Sequence, residues 1–204
     1  MEKIDLKKEW KHLYRPSSKK FEIVDIPPLN FIMADGEGMP DDSPSFQHAV
    51  EALYNVAYHM KFSSKQGGGP DWVVMPLEGL WWVHGGKDFM SASREEWRWT
   101  LMIAQPDEAT EDLFQAAVRE TAAEKDLPAL PSLRWERYHE GLAAQIMHIG
   151  PYDQEVGTLK KMHAFLTEQG YEMHGKHHEI YMSDPRRVPP EKLKTVLRHP
   201  IHKV

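Results

Sequence analysis

The same order of apolar and polar patterns occurs twice along the chain. Residues 21–26 alternate in polarity, a Pro-Pro-Leu-Asn turn follows, and a second apolar run begins at Phe31. This pattern predicts a β-hairpin over residues 21–36. Ser43 and Pro44 then suit the cap and the first position of a helix. The apolar face of that helix is formed by Phe46, Val50, Leu53, Ala57 and Met60.

Gly-rich residues 66–70 end the helix, and two apolar runs after it predict strands at residues 72–78 and 97–105. An amphipathic connector helix is predicted over residues 110–125. Thr110 can cap it, and the acids that follow favour the positive end of the helix dipole. Pro128 and Pro131 end this connection.

The second half repeats this order of elements. A hairpin is predicted over residues 134–148, with its turn at Glu140 and Gly141. Asp153 can cap a helix that Gly170 ends. The predicted apolar face of this helix is Val156, Leu159, His163 and Leu166, and the predicted strands are residues 177–183 and 194–201.

This repetition predicts an α+β fold of two βαββ units, related by a pseudo-twofold axis with a central ligand cleft between them. One domain would span residues 1–204, with half one at about 20–106 and half two at about 133–202. Identity between the halves is weak, although residues 32–38 (IMADGEG) and 146–152 (IMHIGPY) occupy equivalent positions. An α+β chain without a true repeat is the alternative.

Composition and charge narrow the possible functions. The net charge is −6, whereas a nucleic-acid partner requires a basic surface. Because there is no cysteine, disulfides, thiolate catalysis and Cys-ligated zinc are excluded. Neither a signal peptide nor a membrane-spanning run is evident, so we expect a cytoplasmic protein. Seven Trp and eleven Met suit a broad apolar pocket as well as a core.

Glu179 is the leading candidate for a functional acid. It lies inside a predicted strand, and its neighbours at a spacing of two are Tyr181 and Ser183. A carboxylate in such a strand faces either water or an interior cavity, and strand statistics alone favour water.

The corresponding strand of half one contains a second acid, Glu78, followed by Trp81 and Trp82. Adjacent strand residues point to opposite faces, so we expect one of the two Trp to line the cleft. Core packing of both is the alternative. A carboxylate among aromatic rings has a raised pKa, which suits a general acid or base and equally the binding of a cation.

Two tyrosines are further candidates. Tyr152 opens the second helix and could donate a hydrogen bond to a ligand oxygen, or only pack there. Tyr54 could contact a ligand, although a core or surface position also explains it. His174, His177 and His178 do not match a known metal framework, and strand alternation separates the last two, so neither a metal nor an organic cofactor is predicted.

Several motifs together resemble the GyrI-like small-molecule-binding domain. They are Gly-Pro-Tyr at residues 150–152, EIYMSDP at 179–185 and Pro-Ile at 200–201. Residues 75–82 (MPLEGLWW) are similar to a stand-alone bacterial subfamily. The resemblance covers residues 20–202 and implies two βαββ units around a hydrophobic cleft, with an acid at its floor that the match places at Glu179.

The resemblance also implies a function. Related domains sense effectors in multidrug-responsive activators, one member inhibits DNA gyrase, and some stand-alone members hydrolyse the cyclopropane ring of DNA-alkylating cyclopropanoid natural products. We therefore expect a cofactor-independent hydrolase of lipophilic aromatic small molecules. Its catalytic residues would be Glu179 and Tyr152, and its ligand-binding residues Glu78, Trp81, Trp82, Tyr181 and Tyr54.

Two alternatives remain open: sequestration of lipophilic cationic drugs without turnover, and a protein-interaction role such as gyrase inhibition. About 20 residues precede the fold, too few for a helix-turn-helix domain, so direct promoter binding is not expected.

Overall fold

The chain forms an α+β fold around one antiparallel sheet, and the computed structural model describes residues 3–40, 43–86 and 92–204. Within these residues, nine strands make up the sheet: β1 (Glu22–Ile26), β2 (Leu29–Glu37), β3 (Glu78–Val83), β4 (Trp97–Gln105), β5 (Arg134–Tyr138), β6 (Gly141–Ile149), β7 (Tyr171–Met173), β8 (His177–Tyr181) and β9 (Lys194–Lys203). The helices are α1 (Leu6–Glu9), α2 (Lys11–Tyr14), α3 (Pro44–Gln66), α4 (Glu111–Glu124) and α5 (Glu155–Glu168).

The order of the strands reflects the repeat. It runs β1-β6-β9-β8-β3-β4-β2-β5, with β7 attached to β9. Read inward from one edge, β1 of half one is followed by β6, β9 and β8 of half two. Read inward from the other edge, β5 of half two is followed by β2, β4 and β3 of half one. The third strands of the two halves, β3 and β8, therefore pair at the centre of the sheet.

Both predicted hairpins are wrong in their pairing, because the first strand of each half joins the other half. β1 pairs with β6, and β5 pairs with β2. Pro27 and Pro28 are the two residues between β1 and β2. A tight two-residue hairpin turn needs positive φ angles, whereas proline fixes φ near −65°. Glu140, which follows β5, instead enters a buried polar network described below.

The helices confirm several local predictions. The Ser43 side chain accepts a hydrogen bond from the Phe46 N–H at the start of α3. Thr110 caps α4 in the same way, through the Leu113 N–H. These side chains satisfy N–H groups that have no partner within the helix.

Other local predictions are wrong. Residues 73–77 are irregular, and the strand begins at Glu78, because Pro76 has no N–H to donate to a sheet. Asp153 does not cap α5, since a 3-10 turn at Tyr152–Gln154 precedes that helix. The buried face of α5 is Glu155, Leu159, Met162 and Leu166. Leu159 and Leu166 are therefore confirmed, whereas Val156 and His163 are exposed.

Different segments of the chain cover the two faces of the central sheet. On what we call the helix face, Leu101, Gly79, Glu179, Leu197 and Ile146 are directly paired across five strands. Helix α5 covers the end of this line at Leu197 and Ile146. Helix α3 covers the other end, where Phe46 contacts the rings of Trp81 and Trp99. Glu179 lies between the two covered ends.

The opposite side, here called the N-terminal face, is covered by the segment that contains α1 and α2. The Leu13 carbonyl accepts a hydrogen bond from Arg198 at 2.7 Å, and the His12 carbonyl accepts one from Gln145 at 2.7 Å. An isolated bridge joins Ile4 to Trp72. Among the described residues, no helix is both long and apolar enough to cross a membrane.

Candidate functional site

Glu179 is fixed at the centre of the sheet on the helix face. Its side chain is 14% exposed. The Tyr181 hydroxyl donates a hydrogen bond to Glu179 Oε2 at 2.7 Å. His177 Nε2 lies 3.2 Å from Glu179 Oε1. All three residues belong to β8 at a spacing of two, so the extended strand itself brings them to one face.

Tyr181 links this carboxylate to Trp81. The indole N–H of Trp81 donates to the Tyr181 oxygen at 3.2 Å. Burial, and then the charge of Glu179, raise the pKa of Tyr181 well above its ordinary value, so the phenol keeps its proton and remains a donor. The result is a chain of donors that ends on Glu179.

Gly79 makes this close approach possible. It pairs directly with Glu179 in the sheet. A Cβ atom at position 79 would lie 2.8 Å from Trp81 Nε1 and 3.2 Å from the Tyr181 oxygen. The first distance is too short for a Cβ contact, so a side chain here would displace the indole. The chain thus places its smallest residue opposite the candidate acid.

Aromatic rings surround the donor chain. Phe46 stacks on Trp81 with ring centroids 6.2 Å apart, and Trp97 meets the same ring edge-on at 5.7 Å. Tyr152 is 41% exposed and meets Tyr181 edge-on at 6.0 Å. We call Glu179, Tyr181, Trp81, Tyr152 and Glu155 the central site.

Tyr54 lies on the α3 side and has a structural contact of its own. Its hydroxyl accepts a hydrogen bond from the Leu77 N–H at 3.1 Å, and the Leu77 carbonyl accepts one from the Tyr181 N–H at 3.0 Å. Burial raises the pKa of Tyr54. Tyr54 therefore anchors the irregular segment before β3 to the strand that contains Glu179.

Glu155 is the member of the central site that sequence reasoning missed. It lies in the first turn of α5 and is 5% exposed. Burial, and then the charge of Glu179, raise its pKa to about 9. A signal was present, since residues 155, 159, 162 and 166 follow the spacing of one helix face. The polar identity of residue 155 concealed it.

Glu78 is on the N-terminal face, so its predicted position as a counterpart of Glu179 in one cleft is wrong. The register pairs Glu78 with Ile180 and Gly79 with Glu179. Adjacent strand residues point to opposite faces, which places the two acids on opposite sides of the sheet. Glu78 Oε1 accepts from the Tyr14 hydroxyl at 3.1 Å, and Glu78 Oε2 lies 2.9 Å from His178 Nε2.

His178 is the centre of a buried polar network on the N-terminal face. Its Nδ1 lies 2.9 Å from Glu140 Oε2, which also accepts from Arg198 at 3.4 Å. Arg198 donates in addition to Gln145 at 3.0 Å. Both imidazole nitrogens face carboxylates, so the protonated ring, which donates from both, fits this geometry. We call Tyr14, Glu78, Glu140, Gln145, His178 and Arg198 the sealed network.

The pKa values of the sealed network reflect these contacts. Burial alone would lower the pKa of His178, but Glu140 and Glu78 raise it to about 9. Burial alone would raise the pKa of Glu140, but His178 and Arg198 lower it to about 2. Two carboxylates and two cations therefore compensate each other without solvent.

Trp82 lies on the N-terminal face, so the structure does not bring this predicted ligand-binding residue to Glu179. The Lys176 ammonium lies 3.6 Å from the centre of the Trp82 ring. Strand alternation separates the two Trp, and Trp81 lies on the face of Glu179. Contact of Trp81 with a ligand stays a prediction. Within the described ranges, no three His, Asp or Glu side chains are arranged to hold a metal ion.

A known family matches nearly all of this chain. The model of the GyrI-like small molecule binding domain covers residues 19–202. No curated protein matches the sequence.

Solved structures give the same picture. An uncharacterized conserved protein from Listeria innocua is 41% identical with a TM-score of 0.91, and the match covers 98% of this chain and 100% of that one. A protein from the same organism, described as a hydrolase, is 40% identical with a TM-score of 0.87 and the same coverage. The EcmrR C-terminal domain is 10% identical with a TM-score of 0.56, covering 91% of this chain and 98% of that domain, and shares the fold alone.

Proposed function

Because the chain belongs to the GyrI-like small-molecule-binding domain family, we propose that it is a hydrolase that opens the cyclopropane ring of cyclopropanoid DNA-alkylating compounds. The observation that carries the proposal is the geometry of Glu179, a largely buried carboxylate held by Tyr181 and surrounded by aromatic rings. The description of a relative at 40% identity as a hydrolase supports it.

The reaction requires a base that takes a proton from water and a group that stabilises the electron pair released when the ring opens. A spirocyclopropane conjugated to a dienone is a strained electrophile. Glu179 accepts a proton from water while the water oxygen bonds to the cyclopropyl CH₂ carbon. The C–C bond to the spiro centre breaks, and its electron pair moves into the ring to give a phenolate. Protonation of that oxygen completes a phenol and an alcohol, with water as the only co-reactant.

The surroundings of Glu179 suit such a reaction. Flat aromatic arms of the substrate would stack against the exposed ring of Tyr152, which replaces water around the reacting atoms, whereas buried Trp81 supports the site through Tyr181. Tyr152 is half-exposed beside Tyr181, and its hydroxyl is our candidate donor to the developing phenolate. The strain of the three-membered ring provides the driving force, so no cofactor enters the proposal.

The test is turnover of a duocarmycin-type compound, followed by mass spectrometry of the ring-opened alcohol. Wild type should produce the alcohol faster than buffer, and Glu179→Gln should lower kcat about 100-fold or more. Glu172→Gln, at an exposed acid of β7, is the matched control and should keep the wild-type rate. Equal rates for wild type, Glu179→Gln and buffer would refute the proposal.

The second candidate is binding without turnover. The family is defined by small-molecule binding, and an acid among aromatic rings can also hold a lipophilic cation. Titration calorimetry with matched cationic and neutral aromatic ligands separates the candidates. Tight binding without product, weakened by Glu179→Gln more for the cation than for the neutral ligand, would favour sequestration over hydrolysis.

A further inference from the structure

The central site contains a second carboxyl group whose surroundings differ from those of Glu179. Glu155 is 5% exposed, and its Oε1 atom is buried with no hydrogen-bond partner. It lies on the buried face of α5, which packs through Leu159 against Leu197, the direct sheet partner of Glu179. There its side chain faces Glu179 of β8 and Thr195 of β9. Among the described residues, no Lys, Arg or His forms an ion pair with it, although the protein places cations beside both acids of the sealed network.

The remaining polar groups near the pair favour Glu179 as the ionised member. His177, completely buried, contacts Glu179, and Tyr181 donates to Glu179 as well. Burial lowers the pKa of His148 of β6, whose ring lies 2.9 Å from the Thr158 hydroxyl, so His148 adds no cation to the site. His177 and Tyr181 of β8 are therefore the groups that stabilise a negative charge on Glu179. The Thr195 hydroxyl lies near Glu155 but, like Glu155 Oε1, is buried without a hydrogen-bond partner among the described residues.

Two adjacent carboxyl groups in a buried site do not both ionise at neutral pH, because their charges repel and neither is well solvated. The group with fewer donors and no cation keeps its proton. By this criterion, the proton belongs to Glu155.

We propose that Glu155 is a positioning residue of the central site: it stays protonated at neutral pH, donates a hydrogen bond to Glu179, and leaves Glu179 as the carboxylate. The pair then has a single negative charge. The raised pKa of Glu155 agrees with this arrangement. The positioning role in catalysis rests on the proposed hydrolase function, whereas the protonation of the pair does not.

Ionisation of Glu155 has a consequence for turnover. Above its pKa the site becomes dianionic, and repulsion moves the Glu179 carboxylate away from the position in which Tyr181 holds it. Turnover should therefore fall as the pH rises through the ionisation of Glu155, by about tenfold between pH 8 and pH 10 if one proton is lost near pH 9. Glutamine keeps a donor at this position but does not ionise, so Glu155→Gln should lack this alkaline fall, whatever its absolute rate.

The direct experiment follows the carboxyl carbons of ¹³C-labelled glutamate by NMR as the pH is raised. One carbon should titrate near pH 9 in the wild type and in Glu168→Gln, a control at the exposed end of the same helix, and should be missing in Glu155→Gln. In Glu179→Gln, the titration of Glu155 should move to lower pH, because the neighbouring charge is gone. Titration of Glu155 near the ordinary value for glutamate, or no response to Glu179→Gln, would overturn the inference.

The two proposals fail in different ways. An alkaline titration of Glu155 without any turnover contradicts the hydrolase and supports the shared proton. Turnover with an ordinary titration of Glu155 supports the hydrolase and contradicts the shared proton. An alkaline fall in turnover that persists in Glu155→Gln assigns that fall to another group and contradicts the positioning role.

Discussion

The two faces of the central β3–β8 pair contain acids in very different surroundings. On the N-terminal face, Glu78 and Glu140 lie against His178 and Arg198, so that each negative charge has a cation beside it. On the helix face, Glu179 and Glu155 lie close together, and His177 contacts Glu179 at 3.2 Å. The faces are separated by the thickness of a single sheet, since His178 and Glu179 are neighbours in the chain.

The difference separates an acid that stabilises the fold from one that can react. A carboxylate with two ionic partners and no solvent has a lowered pKa and no spare lone pair for a substrate. A carboxyl pair with one proton and one partly exposed member can both accept and donate protons near neutral pH. The sealed network also connects the N-terminal segment to β8, so it fixes the strand on which Glu179 lies.

The largest expected effect is the loss of His178. His178→Leu would leave Glu78 and Glu140 buried without the imidazolium between them, and we expect a loss of about 3–5 kcal/mol in the free energy of unfolding. Glu179→Gln should change that free energy by about 1 kcal/mol or less, since the amide oxygen still accepts from Tyr181. Urea denaturation of both variants measures the contrast, with His163→Gln on the exposed side of α5 as the control. Equal midpoints for His178→Leu and wild type would contradict the role of the network.

The second largest expected effect is the contribution of the sealed network to the pH dependence of stability. Because the pKa of Glu140 is lowered, its contribution to the free energy of unfolding is present above pH 4.5, the ordinary pKa of glutamate, and is lost as the pH falls toward about 2. Because the pKa of His178 is raised, its contribution to the free energy of unfolding is present below pH 6.5, the ordinary pKa of histidine, and is lost as the pH rises through about 9. The network should therefore stabilise the fold most between pH 4.5 and pH 6.5.

Thermal unfolding measured below, within and above this pH range checks both the acid and the alkaline loss of stability. Glu140→Gln should have a flatter acid limb of Tm against pH than the wild type, and the surface variant Glu172→Gln should not. Because Glu155 also loses its proton near pH 9, the alkaline limb of His178 is best measured in the Glu155→Gln background. An unchanged acid limb in Glu140→Gln would mean that its carboxylate is not the ionised partner of His178.

Much of this arrangement follows from local patterns. Period-two alternation correctly groups Glu179 with Tyr181 and separates Trp81 from Trp82, because the geometry of an extended strand is local. Cap residues correctly mark the start of α3 and α4 for the same reason. The assignment of the central acid required the family resemblance, since alternation does not say which face is solvated.

The remainder depends on contacts between distant parts of the chain. The hydrophobic pattern marks β1 and β5 as strands but does not say which strand each one pairs with, and each pairs with the other half. The face of Glu78 depends on the sheet register, and its partners come from residues 14 and 178. The N-terminal segment packs through backbone carbonyls that bind Arg198 and Gln145, so its side chains give little sign of its position.

Gly79→Ala tests how far the central site depends on the empty position opposite Glu179. The new Cβ atom would meet the Trp81 indole nitrogen at 2.8 Å, so the indole or the strand must shift. We expect a loss of about 1–3 kcal/mol in stability, together with a change in Trp fluorescence and weaker binding of an aromatic ligand. Gly157→Ala is the control, because a Cβ atom there meets open space. Wild-type fluorescence and ligand affinity in Gly79→Ala would show that the close approach does not matter.

The smallest expected effect comes from exchanging the two neighbouring Trp for Phe, one on each face. Trp81→Phe removes the N–H that donates to Tyr181, and so releases one end of the donor chain that holds Glu179. We expect ligand affinity to fall by about 1 kcal/mol, with a loss of stability of similar size. Trp82→Phe keeps a ring under Lys176 and should cost about 0.5 kcal/mol of stability, because Phe holds a cation less strongly than Trp. Since residue 82 faces away from Glu179, calorimetry should find that its ligand affinity changes less than that of Trp81→Phe. The reverse order of the two affinities would place the binding surface on the N-terminal face and overturn the distinction between the two sides of the sheet.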